Sequence, residues 1–327
     1  MKREVDIDNY YDGYKSSELN CIDLPIAAAS GAFNRKNYFY YCFMYCLYMN
    51  FKLNYREEWI RNHEIILESL GLKLVVLEVE ENNVIRKIQE CLDKQMPVIM
   101  IVKYGKLFYS RYYGWGTYNH GIIVSDYDDE IEIVGIRDRE AIREHIDYGI
   151  FNSDVIHRIP LKYSYLLEIW SGSNDEFKKE NLPYMDKIFA IRKKTNCEIN
   201  INRCLKSMIY EQNMLEVYIK NLKPPYIFND SEFEAIRRIY YRSFIPFFDI
   251  IEKIIQDIEN RRRLKEIKEK FMQQRMLVLN YIQRCILKNE IIDYGKIQND
   301  TTELFELLTS LIEIIPEYEG ENRDGRM

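Results

Sequence analysis

Apolar residues in the first half of the chain gather in short β-branched runs, and in the second half they recur at helical spacing. KLVVLEV (73–79), PVIMIVK (97–103), HGIIVS (120–125) and IEIVGI (131–136) read as strands, with helical patterns between them. The last two runs flank YDDE (127–130), which predicts a β-hairpin turning on residues that tolerate turn conformations. After residue 165 the pattern becomes almost entirely helical. CLKSMIYEQNMLEVYIKNL (204–222) carries apolar residues three and four apart. A long helical stretch follows over 230–289, with a kink expected at Pro246. DTTELFELLTSLIEII (300–315) reads as a final helix opened by an Asp/Thr cap.

The expected organisation is therefore an α+β domain with an antiparallel sheet over 1–165, a connection over 166–197, an all-α C-terminal domain over 198–316 and a frayed tail over 317–327. A chain of 327 residues, 47% hydrophobic and 30% charged, is long and apolar enough for this. The net charge of −6 argues against nucleic acid as the main partner, since a phosphate binder shows a basic excess. No segment reads as a membrane span, so no membrane partner is expected. The first residues, MKREVDIDNYYDGY, are too polar for an export signal. Seven cysteines without paired spacing are then expected as reduced thiols in the cytoplasm. Tyrosine is abundant, at 27, which fits either an aromatic-rich core or a site for an extended ligand.

Candidate chemistry begins in the hairpin. If the turn centres on Asp129, His120 lies opposite Asp138, and a carboxylate there can fix the imidazole's tautomer and stabilise its charged form. A partly buried histidine beside a solvated aspartate is the plainer alternative. A histidine–aspartate pair acts on a nucleophile, and the cysteines are the candidates. Cys21 precedes a run of small residues, Ala27 to Ala32, that would let a helix lie close against a sheet. Pro25 puts the start of that helix at or after Ile22, so Cys21 lies just outside it. Asp23 adds a negative charge that works against a thiolate. Cys42 and Cys46 sit one turn apart in an apolar run and read as buried structural thiols; a zinc site using them would need two more ligands, with His63 the histidine nearby.

Cys21 opening a helix, the PVIMIV strand and HGIIVSDYDDEIEIVGIRD together resemble the papain-like fold of the C39-type cysteine peptidases. The resemblance is closest to their biosynthetic relatives, the butirosin-biosynthesis H-type family, and covers residues 15–170. It implies a papain-like core with Cys21 as nucleophile, His120 as general base and acid, and Asp138 as the orienting carboxylate. Two departures stand out. The glutamine that C39 peptidases carry shortly before the cysteine is missing from GYKSSELN, leaving Asn20 or the Cys21 N–H as the oxyanion candidate. The glycine usual before YDD is Asp126. A lost oxyanion donor matters less for a thioester, with its better leaving group, than for an amide.

The implied activity is amide-bond formation in secondary metabolism. An acyl group moves from the phosphopantetheine thioester of an acyl or peptidyl carrier protein, through an acyl-Cys21, to an amine that can itself be carrier-bound. No bound cofactor is implied. Amide synthetases of the kind acting in closthioamide assembly are similar in this respect. Tyr104, Phe108, Tyr112, Tyr113, Trp115 and Tyr118, together with Tyr109, are the candidate walls of an acyl channel in YGKLFYSRYYGWGTYNH. Lys103, Lys106, Arg111, Arg137, Arg139 and Arg143 are candidates for docking an acidic carrier. A cysteine peptidase, amidase or thioesterase using the same three residues, and a non-catalytic binding scaffold, remain alternative readings.

Overall fold

The computed structural model describes residues 2–7, 19, 21–48, 58–110, 113–115, 118–138, 157–170, 184–195, 248, 251–252 and 255–315. The chain divides into two compact units, Met1–Tyr41 with Arg56–Cys197, and Cys42–Tyr55 with Glu198–Met327. The first unit is α+β, built on an antiparallel sheet, and the second contains long helices.

The sheet of the first unit has seven strands: β1 (Lys2–Glu4), β2 (Leu72–Glu78), β3 (Val98–Lys103), β4 (Asn119–Asp128), β5 (Ile133–Asp138), β6 (His157–Lys162) and β7 (Lys187–Lys193). Their order is β2-β7-β3-β4-β5-β6, and β1 pairs with the end of β4 that reaches past β3. Every residue of β3 is buried, as expected of an unbroken apolar run covered on both faces. Pro160 sits in β6, the edge strand, where a residue without an N–H is tolerated.

Among the described residues, four helices lie within this unit: α1 (Leu24–Ser30), α3 (Trp59–Ser69), α4 (Val84–Leu92) and α5 (Tyr163–Ile169). A fifth, α2 (Arg35–Tyr48), begins in the first unit and continues into the second. Pro25 opens α1 in its first turn, and Ala27, Ala28, Ala29 and Ser30 are fully buried where it packs on β3, β4 and β7. The small side chains allow that close approach, as the sequence predicts.

One boundary is corrected. Residues 166–197, expected to be a connection, contain β7, which lies between β2 and β3 in the sheet. Only KIFAIRK marks it, and its partners Leu72–Glu78 and Val98–Met100 are far away in sequence, so no local pattern reveals the pairing.

In the second unit, α6 (Ile258–Lys288) and α7 (Tyr294–Glu313) pack on each other. Asp257 caps α6 by accepting from the Asn260 N–H at 2.8 Å, and Asn289 ends it in the left-handed conformation that favours asparagine. The last described helix starts at Tyr294 under an Asp293 cap, not at Asp300, because the cap signal in EIIDYGK lies seven residues ahead of Asp300. Between the helical residues at 251–252 and α6, Ile255–Asp257 are non-helical. The expected kink at Pro246, the helix over 204–222 and the tail over 317–327 lie outside the described residues. Among the described residues no helix is long and apolar enough to cross a membrane.

Candidate active site

The hairpin of β4 and β5 forms as expected, but in a different register. Its turn is 129–132, with Glu132 at φ +54°, and Asp128 faces Ile133. A β-bulge between Val124 and Asp126 leaves Ser125 unpaired, and beyond it Ile123 faces Arg137. Continued by one step, this register sets Asp138 beside Ile122. His120 and Asp138 are therefore diagonal neighbours on one face, a separation long side chains can bridge.

They do bridge it. His120 Nε2 lies 3.0 Å from both Asp138 Oδ1 and Oδ2, and both residues are buried. The Tyr109 hydroxyl donates to Asp138 Oδ2 at 2.8 Å, and the Tyr104 ring tilts against the imidazole at 4.8 Å between centroids. Burial, then the negative charge of Asp138 and the hydrogen bond to it, push the Tyr109 phenol well above its ordinary range, so it remains a donor. Its role is missed by sequence reasoning, which sees one aromatic among many in a tyrosine-rich loop.

Cys21 is brought to the same place from the other end of the unit. Its carbonyl accepts from the Gly121 N–H at 3.1 Å, and its thiol lies 3.6 Å from the Asn119 carbonyl. Gly121 has to be glycine: a Cβ there would stand 2.9 Å from the Cys21 oxygen and 2.9 Å from Pro25 Cγ. Cys21 is exposed, whereas His120 and Asp138 are not. The thiol is near enough to bear on the imidazole's charge, and with Nε2 committed to Asp138, Nδ1 is the ring nitrogen the carboxylate does not hold. Burial opposes a charge on His120. The charge of Asp138, its hydrogen bond, and the hydrogen bond and charge of Cys21 outweigh burial, and the imidazole is pushed up to about 10. A thiol, an imidazole and a carboxylate in this order can attack an acyl carbon and move the accompanying proton.

The remaining candidates divide. Tyr104 is buried at the site, while Phe108, Tyr113, Trp115 and Tyr118 are exposed, Trp115 at 79%. Lys106 is half-buried and paired with Glu168 at 2.7 Å. Arg137 and Lys103 are corrected as docking cations: both are buried in the sheet. Arg137 is held by Ser125 Oγ at 3.2 Å and Glu4 at 3.3 Å, and Lys103 ends the fully buried β3. Asn20, Arg111, Tyr112, Arg139 and Arg143 lie outside the described residues. Among the described residues no group of three or more His, Cys, Asp or Glu side chains could hold a metal ion, and His63 is turned to Asp23.

Asp126, which stands where the resembled pattern has glycine, is buried and accepts from Arg158 Nε at 2.9 Å. The space it needs comes from Gly135 across the hairpin, where a Cβ would stand 1.9 Å from Asp126 Oδ2. No protein-family model matches the chain, and no curated protein matches it at a significant level.

Proposed function

We propose that this chain is a thiol-dependent acyltransferase with a papain-like core, forming amides from carrier-protein thioesters in the cytoplasm. The observation that supports the reading is the convergence of Cys21, His120 and Asp138: the imidazole bonds the carboxylate, and the Cys21 thiol sits at the Asn119 carbonyl beside it.

In the first half-reaction the Cys21 thiolate attacks the thioester carbonyl carbon. A C–S bond to Cys21 forms, the bond to the phosphopantetheine sulfur breaks, and His120 gives its proton to the departing thiolate. One thioester replaces another, so the exchange is nearly neutral in energy. In the second half-reaction an amine attacks the acyl-Cys21. His120 accepts the amine's proton, the bond to Cys21 sulfur breaks, and amide and Cys21 thiolate result. Acylation removes the Cys21 charge and hydrogen bond that help hold the imidazole's proton. His120 is thereby less firmly protonated at the stage where it must serve as base.

One observation favours a second reading, hydrolysis by the same three groups. Cys21 is exposed, so water can reach an acyl group on it. Intact-mass spectrometry separates the two. The protein is mixed with an acylated carrier protein or an acyl N-acetylcysteamine thioester, first without and then with an amine, beside Cys21→Ala. An acyl adduct on the wild type alone, discharged as amide, supports transfer. Free acid with or without amine supports hydrolysis. An adduct that persists in Cys21→Ala, or no adduct and no turnover, refutes a role for Cys21 in either.

A further inference from the structure

Two residues beyond Cys21 lies a second carboxylate–imidazole pair, fully buried and not used in the chemistry above. Asp23 Oδ1 accepts from Trp59 Nε1 at 2.7 Å and lies 2.9 Å from His63 Nε2. The Tyr41 hydroxyl meets His63 Nδ1 on the other side of the ring. Asp23, Tyr41, Trp59 and His63 are each no more than 1% exposed. Trp59 and His63 are four residues apart on one face of α3, with ring centroids 4.3 Å apart, and Tyr41 comes from α2.

Two features set this network apart from ordinary core packing. First, Asp23 is the N-cap residue of α1, yet its side chain makes no cap hydrogen bond. An aspartate there ordinarily stabilises its own helix through free N–H groups. Asp23 turns instead to α3, while its carbonyl accepts from the Ile26 and Ala27 N–H groups. Second, a carboxylate taken out of water is costly, and apolar residues of similar volume often serve stability as well or better. A buried charge in that position is explained if it fixes a geometry.

The geometry it fixes is that of Cys21. On one side, the Cys21 carbonyl is tied to Gly121, next to His120. On the other, Asp23 is tied to Trp59 and His63. Two residues of chain span at most about 7 Å, so with both ends held the turn has little freedom. We propose that the Asp23–His63–Tyr41 network, with Trp59, is a positioning device that holds the Cys21 turn so that its thiol stays against His120. The bonds described above join these four residues to one another, so their part is positioning. The proposal rests on Cys21 being the nucleophile.

The test measures Cys21 alkylation by iodoacetamide, site by site from peptide masses, across pH 5.5–9.5, with melting curves on the same samples. Iodoacetamide needs no carrier, amine or acyl group. Wild-type Cys21 is expected to be alkylated at least tenfold faster than the buried Cys42, Cys91 and Cys285. Asp23→Ala is expected to slow the Cys21 reaction at pH 6 roughly 10- to 100-fold. Asp23→Asn keeps an oxygen at Oδ1 for both donors and should stay within about threefold of wild type. Tyr41→Phe removes one hydroxyl and keeps the ring. It decides the matter if Asp23→Ala does not fold, with an expected loss of about threefold or more at pH 6. Wild-type rate and profile in folded Asp23→Ala, or in Tyr41→Phe, would overturn the positioning role while Cys21 stands as nucleophile. Wild-type Cys21 alkylated no faster than Cys42, Cys91 and Cys285 would overturn both.

Discussion

Replacing Asp138 by asparagine removes a charge and little else, because the amide occupies the same volume and can still accept from His120. Its effect on His120 follows from the balance at that ring. The imidazole stands at about 10 against an ordinary 6.5, with burial opposing the rise and Asp138 the largest influence behind it. At 1.36 kcal/mol per unit, that elevation is a net preference for the imidazolium of roughly 5 kcal/mol. A contacting opposite charge is worth about one to three units. Without it, burial still pulls downward, and only Cys21 pulls upward. The His120 midpoint should fall by about two units or more in Asp138→Asn. The chain has four histidines, so His120 can be followed by imidazole NMR, with assignment by substitution. Stability should change in the matching sense. A histidine that binds its proton more tightly folded than unfolded contributes fully below the unfolded value of 6.5, and the contribution is lost as pH rises through about 10. Wild-type stability should therefore decline between those limits, and Asp138→Asn should decline less and finish earlier. Acyl transfer in the variant should drop by about two to four orders of magnitude. A wild-type midpoint near 6.5, or a midpoint unmoved in Asp138→Asn, would refute the account of how His120 holds its proton.

Tyr109→Phe deletes a hydrogen bond to a buried carboxylate and should cost about 1.5–3 kcal/mol in thermal or urea unfolding, with a slower acyl transfer and no change in the aromatic packing seen by near-ultraviolet circular dichroism. Gly121→Ala forces the Cys21 turn away from β4, so Cys21 acylation should fall roughly 10- to 100-fold while the unfolding free energy falls by about 1–3 kcal/mol. Gly135→Ala drives a methyl into Asp126 and should destabilise by about 3 kcal/mol or more, read as loss of soluble protein or of a cooperative melt. Asp257→Ala removes the α6 cap and should cost about 1 kcal/mol without touching Cys21 reactivity, which makes it a control for general destabilisation.

Much of the site was legible because its parts are local. His120 and Asp138 belong to one hairpin, and a hairpin can be read from two apolar runs and a turn. Cys21 was legible because Pro25 and the alanine run mark a helix start that a sheet can accept closely. What stayed hidden depends on distant partners. β7 carries an ordinary short apolar run, and its place between β2 and β3 is set by strands far from it in sequence. Tyr109 gains its role from a carboxylate 29 residues away, and Asp23 from residues 36 and 40 positions on. Two of the six candidate docking cations were misplaced for a related reason. Charge is visible in a sequence, but the face a charged residue takes in a strand is not, and Arg137 and Lys103 point into the sheet unit.

The hairpin also shows how a polar cluster helps set the geometry of the His120–Asp138 pair. Between the turn and Gly135, partners in β4 and β5 follow one register, with Asp126 facing Gly135 and Tyr127 facing Val134. Extended without interruption, that register would set Asp138 beside Ile123, on the face opposite to His120, since side chains alternate along a strand. The extra residue at Ser125 shifts the pairing by one, so that Val124 faces Ile136 and Asp138 falls beside Ile122 on the His120 face. The bulge therefore decides whether the pair can form. It is held in place by the buried groups around it. Ser125 Oγ donates to Asp126 Oδ2 or the Gly135 carbonyl and accepts from Arg137 Nε, Arg158 clamps Asp126, and Glu4 of β1 takes the far side of Arg137. The expected pairing of residue 120 with 138 reached the right face by two compensating displacements, a turn set too early and a bulge not foreseen. Arg137, first considered as a docking cation, acts in this arrangement as a brace for the strand that presents Asp138.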